Sequence, residues 1–356
     1  MSQSSSTTEI PEATLENDKV EIKNAKFERI KVYVFVGFLT VISQLILAGY
    51  GVVSVKFTKE LKIDIPLFLF FRGIISAPVT LLLAAVFEKG LTIPRPPFKL
   101  ELCYFGIIGF MVNQMVPFLY LYAVVYTSAS YCAIFSQLIP IVTTIYFYMF
   151  RIETITSIRQ RWAIVQLLGI IIGCAFATSI VVIHFKGFSK GKGAGSLIIG
   201  TVLAVVNNLI FPLQYVCQAK LFYRNPDSIF KSRPLTTQAY SVTCGFMIYL
   251  VLVIPYFCFK SHIFYDIQVK ILIPVLYSSI ILCPVSYGLM AYCTKKLSPM
   301  IVGASFSLNV VLSFVMLHLF ANEQLKTEQY ILFIFVVVGV FMVLFAPILK
   351  PPASKT

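Results

Sequence analysis

Residues 32–55 of the chain read VYVFVGFLTVISQLILAGYGVVSV, and residues 193–219 read GAGSLIIGTVLAVVNNLIFPLQYVCQA. Neither stretch contains Asp, Glu, Lys or Arg, and each meets or exceeds the roughly 20 residues that a helix needs to span a bilayer. Seven further stretches of similar or greater length carry at most one charge. This pattern predicts an all-α protein that crosses the membrane many times.

The number of spans follows from how these stretches divide. Residues 102–150 are too long for one helix, and the small polar sequence Thr127-Ser128-Ala129-Ser130 lies near their middle. Turns favour such residues, so we expect two spans here. The sequence then predicts ten spans, near residues 32–55, 66–87, 102–123, 130–150, 162–184, 195–217, 235–258, 271–293, 298–320 and 329–349.

Composition supports a membrane protein and argues against a soluble one. Hydrophobic residues make up 58% of the 356 positions and charged residues only 12%, far less charge than a soluble domain of this size exposes. The formal net charge of +14 comes from basic residues scattered over the short links between spans. A nucleic-acid-binding surface would gather them on one face, so we expect a lipid bilayer and no nucleic acid among the partners.

The distribution of Lys and Arg also predicts the orientation. Nineteen of the 29 lie in the two tails and in the alternate links on the same side of the membrane, and nine lie on the other side. Cytosolic segments carry the excess of basic residues, so both termini are expected in the cytosol. Residues 1–30 lack the apolar core of a signal peptide and are expected to form a disordered cytosolic tail; residues 350–356 form a second, short tail.

Neither a catalytic nor a metal site is apparent in the sequence. The eight cysteines lie in or beside spans without a C-x-x-C pair, and the three histidines lie near helix ends with no His/Glu motif or paired carboxylates nearby. These absences predict free thiols, no metal, no cofactor and no enzymatic activity. The Gly-rich sequence 190–195 lacks phosphate-loop spacing and is expected to belong to a flexible link, residues 187–194.

The two sides of this link resemble each other. A shift of 170 positions superimposes five identical pairs, and an odd number of five spans per half inverts one half relative to the other. We therefore expect two inverted repeats, residues 31–186 and 195–349, an arrangement common in secondary transporters. The pairs are Tyr122 and Tyr292, Ser128 and Ser298, Leu138 and Leu308, Phe150 and Phe320, and Glu153 and Glu323.

Short motifs along residues 31–349 resemble those of a known family. They are Gln44, Ala48-Gly49, Lys56, Arg72, Gln114, Tyr126-Thr127-Ser128-Ala129, Gln137-Leu138-Ile139-Pro140 and Phe150-Arg151-x-Glu153 in the first half, and Gln218-Ala219-Lys220, Leu276-Tyr277-Ser278, Ser298-Pro299, Phe306-x-Leu308 and Phe320-x-x-Glu323-Gln324-Leu325 in the second. In order and spacing they resemble the plant nodulin-like, "walls are thin" type transporters of the EamA branch of the drug/metabolite transporter superfamily.

This resemblance implies a ten-helix fold of two inverted five-helix EamA repeats. It also implies a carrier of small organic metabolites, such as amino acids or auxin-like compounds. The chain departs from the family pattern at Ser307, where a proline is usual, and at Asn322, where a glycine usually precedes the glutamate. The second-half cavity is therefore expected to differ in shape from that of the family.

Polar side chains within the apolar spans are the candidates for a substrate site, because polar groups are costly in lipid and should face an interior or a watery cavity. The same residue types also join helices to each other, so each candidate has a structural alternative. Tyr287 offers a ring and a hydroxyl to an amphipathic solute, or simply packs. The candidate substrate-binding residues are Gln44, Gln114, Ser136, Gln137, Asn207, Tyr287, Ser307 and Asn309.

Four further residues are candidates for gating or structural roles. Arg72 is the one charged residue inside an expected span. It either attracts a carboxylate substrate or pairs with helix-end carbonyls or with an outer-side carboxylate such as Asp64 or Glu323. Pro140 frees a backbone carbonyl beside a binding site, or only kinks its helix. Glu153 and Glu323 lie at equivalent helix ends and are expected to cap helices or to form gate elements.

These features predict secondary transport of a small amphipathic metabolite by alternating access. The chain has no nucleotide-hydrolysis motif, and no Asp or Glu lies deep in a span, which favours facilitated diffusion or exchange over proton coupling. A nucleotide-sugar or phosphate-ester translocator is the alternative carrier, although it would place several Lys or Arg in its cavity. A receptor or scaffold without flux is the alternative outside transport. We expect a monomer in the plasma membrane, with a vacuolar or other organelle membrane as the alternative.

Overall fold

The computed structural model describes residues 12–56, 64–91, 99–136, 138–150, 161–188, 194–221, 229–260, 271–297, 299–321 and 327–346. Within these ranges, all the regular structure is helical. In these residues, eight helical stretches are long and apolar enough to cross a membrane, and two shorter apolar stretches cover residues 162–176 and 334–343. The chain is thus a multi-pass, all-helical membrane protein, as the sequence predicts.

Fifteen α-helices follow each other along these ranges. They are α1 Glu12–Lys56, α2 Ile65–Phe87, α3 Lys99–Phe110, α4 Val116–Tyr126, α5 Ala129–Phe135, α6 Leu138–Met149, α7 Arg161–Phe188, α8 Ala194–Ile210, α9 Leu213–Ala219, α10 Pro234–Phe259, α11 Leu272–Leu276, α12 Tyr287–Lys296, α13 Pro299–Ala304, α14 Phe306–Ala321 and α15 Thr327–Phe345. Helix α1 extends back to Glu12, into the segment for which the sequence predicts a disordered tail.

Several crossings are interrupted near their middle. A π-helical segment, Met111–Met115, joins α3 to α4, and another, Tyr277–Ser286, joins α11 to α12. One or two non-helical residues separate α8 from α9 and α13 from α14, and Ser136, between α5 and α6, is also non-helical. Interruptions of this kind in membrane helices occur where backbone lines a cavity or is covered by protein.

The break between α8 and α9 has a covalent cause. Pro212 has no N–H, so the carbonyl of Asn208 four residues earlier loses its usual helical donor. The chain turns at this point: the N–H of Phe211 donates to Asn207 O at 3.0 Å, and the N–H of Gln214 donates to Phe211 O at 3.2 Å. A second helix then starts at Leu213.

Close contacts between glycines hold two of the helix pairs. Helix α7 packs along α15, and α10 packs along both α2 and α3. A Cβ on Gly245 would lie 2.2 Å from the carbonyl carbon of Gly109, and one on Gly169 would lie 2.6 Å from Gly339 O. Small residues allow such backbone approach, which drives helix association in lipid.

Both ends of α2 are tied to α10. At one end, Asp64 Oδ1 accepts from the N–H of Leu67 and caps α2, while Asp64 Oδ2 accepts from the Tyr256 hydroxyl at 2.5 Å. At the other end, the Glu88 carboxylate accepts from the N–H groups of Leu235 and Thr236 at 2.7 and 3.0 Å. The first-turn N–H groups of a helix lack internal partners, so Glu88 supplies the cap that starts α10.

Apolar side chains on the outside and polar ones inside complete the pattern of a membrane protein. Large residues such as Val251, Ile273 and Phe38 are exposed on the helix surface, where lipid would cover them. Buried positions include many Ser, Thr, Asn and Gln residues. Because lipid offers no hydrogen bonds, these side chains are drawn to the bundle interior.

Candidate functional site

A cavity of about 70 Å³ lies in the interior of the bundle, beside most of the interrupted crossings. Aliphatic, aromatic and amide side chains share its wall, and the lining includes no charged residue. The lining residues are Leu47, Tyr50, Val116, Pro117, Tyr120, Ala133, Ser136, Ile139, Asn207, Asn208, Phe211, Tyr287, Phe306, Asn309 and Ser313. A mainly apolar wall with a few polar groups resembles the lining of small-molecule sites, while the volume is several-fold below the roughly 300–1,000 Å³ of such sites.

Aromatic rings form two parts of the wall. The rings of Tyr50 and Tyr120 lie with centroids 5.6 Å apart. In a second group, Phe211 lies 5.2 Å from Phe306 and 6.2 Å from Tyr287. Ring edges and faces of this kind favour a flat, partly apolar molecule, because aromatic pairs gain from offset and edge-to-face contacts.

Two asparagines present unused acceptors at the wall. Asn208 is 1% exposed; its Nδ2 donates to Ala204 O at 2.7 Å, which leaves its Oδ1 without a partner among the described residues. The Oδ1 of Asn207 is also buried and unpartnered. Since a buried polar atom without a hydrogen bond costs about 1–3 kcal/mol, these two oxygens favour a ligand that carries N–H or O–H donors.

The amide of Asn309 is used differently. Its Nδ2 donates to Gln44 O at 3.4 Å, and its Oδ1 accepts from the Ser313 hydroxyl at 3.0 Å. Gln44 lies next to it but outside the cavity lining, and its Nε2 donates to the Ser305 hydroxyl at 2.9 Å. Ser305 is the residue at which α13 gives way to α14, so this network fixes α1 against the broken crossing.

The structure brings half of the candidate substrate residues together at the cavity. Ser136, Asn207, Tyr287 and Asn309 line it. The other described candidates lie elsewhere. Gln44 bonds to Ser305, and Gln114 is buried in the π-helical segment Met111–Met115. Ser307 packs against Gly173 of α7, where a Cβ on the glycine would lie 3.3 Å from Ser307 Oγ. Gln137 lies outside the described residues.

Arg72 lies behind the cavity wall. It is 1% exposed, and its neighbours include Tyr50 and Tyr287, which line the cavity, together with Cys283. Its Nη1 donates to Asn113 O at 3.1 Å. That carbonyl belongs to the π-helical segment Met111–Met115, so the arginine ties α2 to this segment.

Pro140 does not free a carbonyl. The crossing departs from helical geometry before it, at Ser136, and Pro140 occupies the first turn of α6, where its missing N–H has no intrahelical partner to lose. The carbonyl four residues earlier, Ser136 O, accepts from the N–H of Ile139 at 3.1 Å. The other two gating candidates, Glu153 and Glu323, lie outside the described residues.

A buried amide network lies outside the cavity lining. Gln238 Oε1 accepts from Nε2 of Gln214 at 2.9 Å and from Nε2 of Gln218 at 3.1 Å. The Nε2 of Gln238 donates in turn to Asn113 Oδ1 at 3.4 Å. This network joins α9, α10 and the π-helical segment, whereas the cavity lining includes Tyr120 of α4 and Ala133 of α5, nearer to the point where α4 and α5 meet at Thr127 and Ser128.

Sequence analysis missed the aromatic lining and the second asparagine acceptor as site residues. Tyr50, Tyr120, Phe211 and Phe306 are four of many rings in a chain that is 15% aromatic, so residue type alone does not distinguish them. Asn208 stands four residues before Pro212, and a polar residue just before a mid-span proline is the signal that points to it.

Comparisons with known proteins agree with this architecture. Residues 34–179 match the EamA-like transporter family. Two WAT1-related proteins of Arabidopsis thaliana are 23% and 22% identical to the chain; each alignment covers 88% of this chain, with 82% and 90% of the relatives. A protein of known crystal structure matches with a TM-score of 0.59 at 14% identity, covering 87% of this chain and 96% of that chain. The last match shows a shared fold.

Proposed function

We propose that this chain, a membrane transporter of the drug/metabolite transporter superfamily, is a secondary carrier that moves a small amphipathic metabolite through the central cavity by alternating access. The observation that carries the proposal is the pair of unpartnered acceptors on Asn207 and Asn208 between aromatic walls. An amino acid or an auxin-like compound has the required features, namely N–H donors and an apolar or aromatic body.

The proposed architecture has ten spans in two inverted repeats, residues 31–186 and 195–349, joined by a link at 187–194. The helix contacts support this architecture, because a contact made by a helix of one half is also made by the corresponding helix of the other half. Helix α1 packs against α14 and the segment Tyr277–Ser286, and its counterpart in the second half, α8, packs against α6 and α4. In the same way, α2 packs against Tyr277–Ser286, and its counterpart α10 packs against α3. The two π-helical segments also overlap after a shift of 170 positions.

The interruptions give such a carrier places to bend. Non-helical residues separate α5 from α6, α8 from α9 and α13 from α14, and all three sites border the cavity or its first neighbours. Half-helices that pivot there would open one face while the amide network around Gln238 parts or closes. With both termini in the cytosol, as we propose, the closed network lies on the cytosolic side and the cavity toward the outside.

The lining disfavours a nucleotide-sugar or phosphate-ester cargo. Phosphate sites use several Lys or Arg side chains, whereas the cavity lining includes neither, and Arg72 lies behind two of the lining residues, Tyr50 and Tyr287. In the described spans no Asp or Glu lines the cavity, so facilitated diffusion or exchange remains the proposed mode. We place the protein in the plasma membrane as a monomer.

Counterflow into proteoliposomes tests the proposal. Vesicles are preloaded with mixed amino acids, indole acids, nucleobases or sugar phosphates, and uptake of a labelled member of each class is measured for wild type and Asn208→Ala. Ser179→Ala is the matched control, because Ser179 is exposed on α7 and, within the described part of the chain, its hydroxyl bonds to Ala175 O of its own helix. We expect saturable exchange of one class, reduced about tenfold in Asn208→Ala and unchanged in Ser179→Ala. An absence of exchange for every class would favour the receptor or scaffold instead.

A further inference from the structure

Arg72 carries a positive charge inside the bundle, and the groups beside it in the part of the chain that the structure describes include no carboxylate. Its Nη1 donates to Asn113 O, and its guanidinium also interacts with the side chains of Cys283 and Tyr287, but Nε and Nη2 have no hydrogen-bond partner among the described residues. A buried guanidinium without a counter-charge is costly in a low-dielectric interior. Something therefore has to supply acceptors and negative charge at this position.

The two carboxylates at the ends of α2 are engaged elsewhere. Asp64, at the start of α2, accepts from Leu67 and Tyr256. Glu88, at its end, accepts from the first turn of α10. The side chains that lie beside the guanidinium are Tyr50, Tyr287 and Cys283, and all three are neutral when protonated.

A second donor without an acceptor lies at the same place. The Tyr50 hydroxyl is buried and has no partner among the described residues, and Tyr50 both lines the cavity and neighbours Arg72. The two unpartnered guanidinium nitrogens and the unpartnered Tyr50 hydroxyl thus lie near one another behind the cavity wall that Tyr50 and Tyr287 form. Three donors and one positive charge define the chemistry of an anion site.

We infer that Arg72 and Tyr50 form a binding site for a singly charged anion, reached through the cavity between Tyr50 and Tyr287. The anion is either the carboxylate of the cargo or a small inorganic anion such as chloride. This inference rests on the proposed function only in the first case, because a chloride site stabilises the fold with or without transport. The donors are shared, so the two sources compete for one site.

Thermal unfolding of the purified full-length protein tests the site directly. Sodium chloride or sodium benzoate replaces sodium sulfate at constant ionic strength, and benzamide serves as the uncharged analogue of benzoate. We expect the unfolding temperature of the wild type to rise saturably with at least one of the two anions, since a ligand that binds only the folded state stabilises it. Benzamide should give no saturable rise through this site.

Two substitutions assign the response to the residues. Arg72→Met should abolish it, and Tyr50→Phe, which removes one hydrogen bond, should raise the half-maximal anion concentration about three- to tenfold. In sulfate, Arg72→Met should unfold at a temperature no lower than that of the wild type, because it removes a buried charge. If Arg72→Met fails to fold, Tyr50→Phe still decides the assignment.

The outcomes separate the sources and the alternatives. A response to chloride alone identifies an inorganic site, a response to benzoate alone identifies the cargo carboxylate, and mutual competition identifies both at one site. A wild type without any saturable response overturns the inference, as does a response that survives in both variants. Glu323→Gln tests the carboxylate that the sequence suggests as a partner of Arg72. If only this variant responds to anions, Glu323 itself supplies the negative charge to Arg72 in the wild type.

Counterflow keeps this inference distinct from the proposed function. Vesicles that exchange a solute while the protein shows no anion response would retain the carrier and reject the anion site. An anion response that disappears in Arg72→Met, in a protein that exchanges no solute, would retain the site and reject the carrier.

Discussion

Loss of the Glu88 carboxylate should loosen the start of α10 and its attachment to α2. Glu88 accepts three hydrogen bonds there, from the N–H groups of Leu235 and Thr236 and from the Thr236 hydroxyl. Glu88→Ala removes all of them and the negative charge that faces the positive end of the helix dipole. We expect the variant to remain folded but to unfold at a lower temperature.

The magnitude follows from the number and setting of these bonds. Substituting a cap costs about 1 kcal/mol and up to about 2, and a charge at a helix terminus contributes about 0.3–1 kcal/mol. Because Glu88 is only half-buried, water replaces part of what is lost. We therefore expect about 2 kcal/mol, which corresponds to roughly 3 °C in the unfolding temperature of a chain of this size.

Thermal unfolding in detergent, followed by the exposure of buried thiols, measures the difference. Glu28→Ala is the control, since Glu28 pairs with Lys31 at 2.8 Å while its side chain is 67% exposed, and exposed pairs contribute little. The control should unfold within about 1 °C of the wild type. Equal unfolding temperatures for Glu88→Ala and Glu28→Ala would refute the capping role of Glu88.

Three further predictions address packing, the cavity and the topology. Gly245→Ala should lower the unfolding temperature by at least as much as Glu88→Ala because its Cβ would meet the backbone of Gly109, whereas Gly37→Ala, with nothing within 4 Å, should unfold like the wild type. Phe211→Ala should raise the half-saturating cargo concentration in counterflow about tenfold, since it removes an aromatic wall of the cavity; an unchanged value would exclude that ring from the site. Epitope tags at both termini should bind antibody only after permeabilisation, and labelling of intact cells would reverse the proposed orientation.

The helix positions could be predicted from local sequence because apolar length alone decides where a chain crosses a bilayer. The second expected span, 66–87, corresponds to α2 at Ile65–Phe87. The expected break at residues 127–130 also appears, since α4 ends at Tyr126 and α5 begins at Ala129. Both features depend on a few neighbouring residues and on no contact with the rest of the chain.

The roles of individual polar side chains could not be predicted in this way, because they depend on how each helix is rotated. Ser305 and Ser307 are two residues apart in the same crossing, yet Ser305 bonds to Gln44 while Ser307 packs against Gly173. Interhelical bonding and ligand binding use the same residue types. Distinguishing them requires the positions of the neighbouring helices.

The hydrogen bonds of Asp64 and Glu88 at the two ends of α2 define a helix length that has to match the thickness of the surrounding bilayer. The 23 residues of α2 between them rise about 34 Å along the helix axis, slightly more than the roughly 30 Å thickness of bilayer hydrocarbon. In the headgroup region both carboxylates are hydrated, and a bilayer much thicker than this would draw them into the hydrocarbon. Reconstitution in lipids of increasing acyl-chain length should therefore reveal an optimum, with turnover falling once the hydrocarbon outgrows the helix.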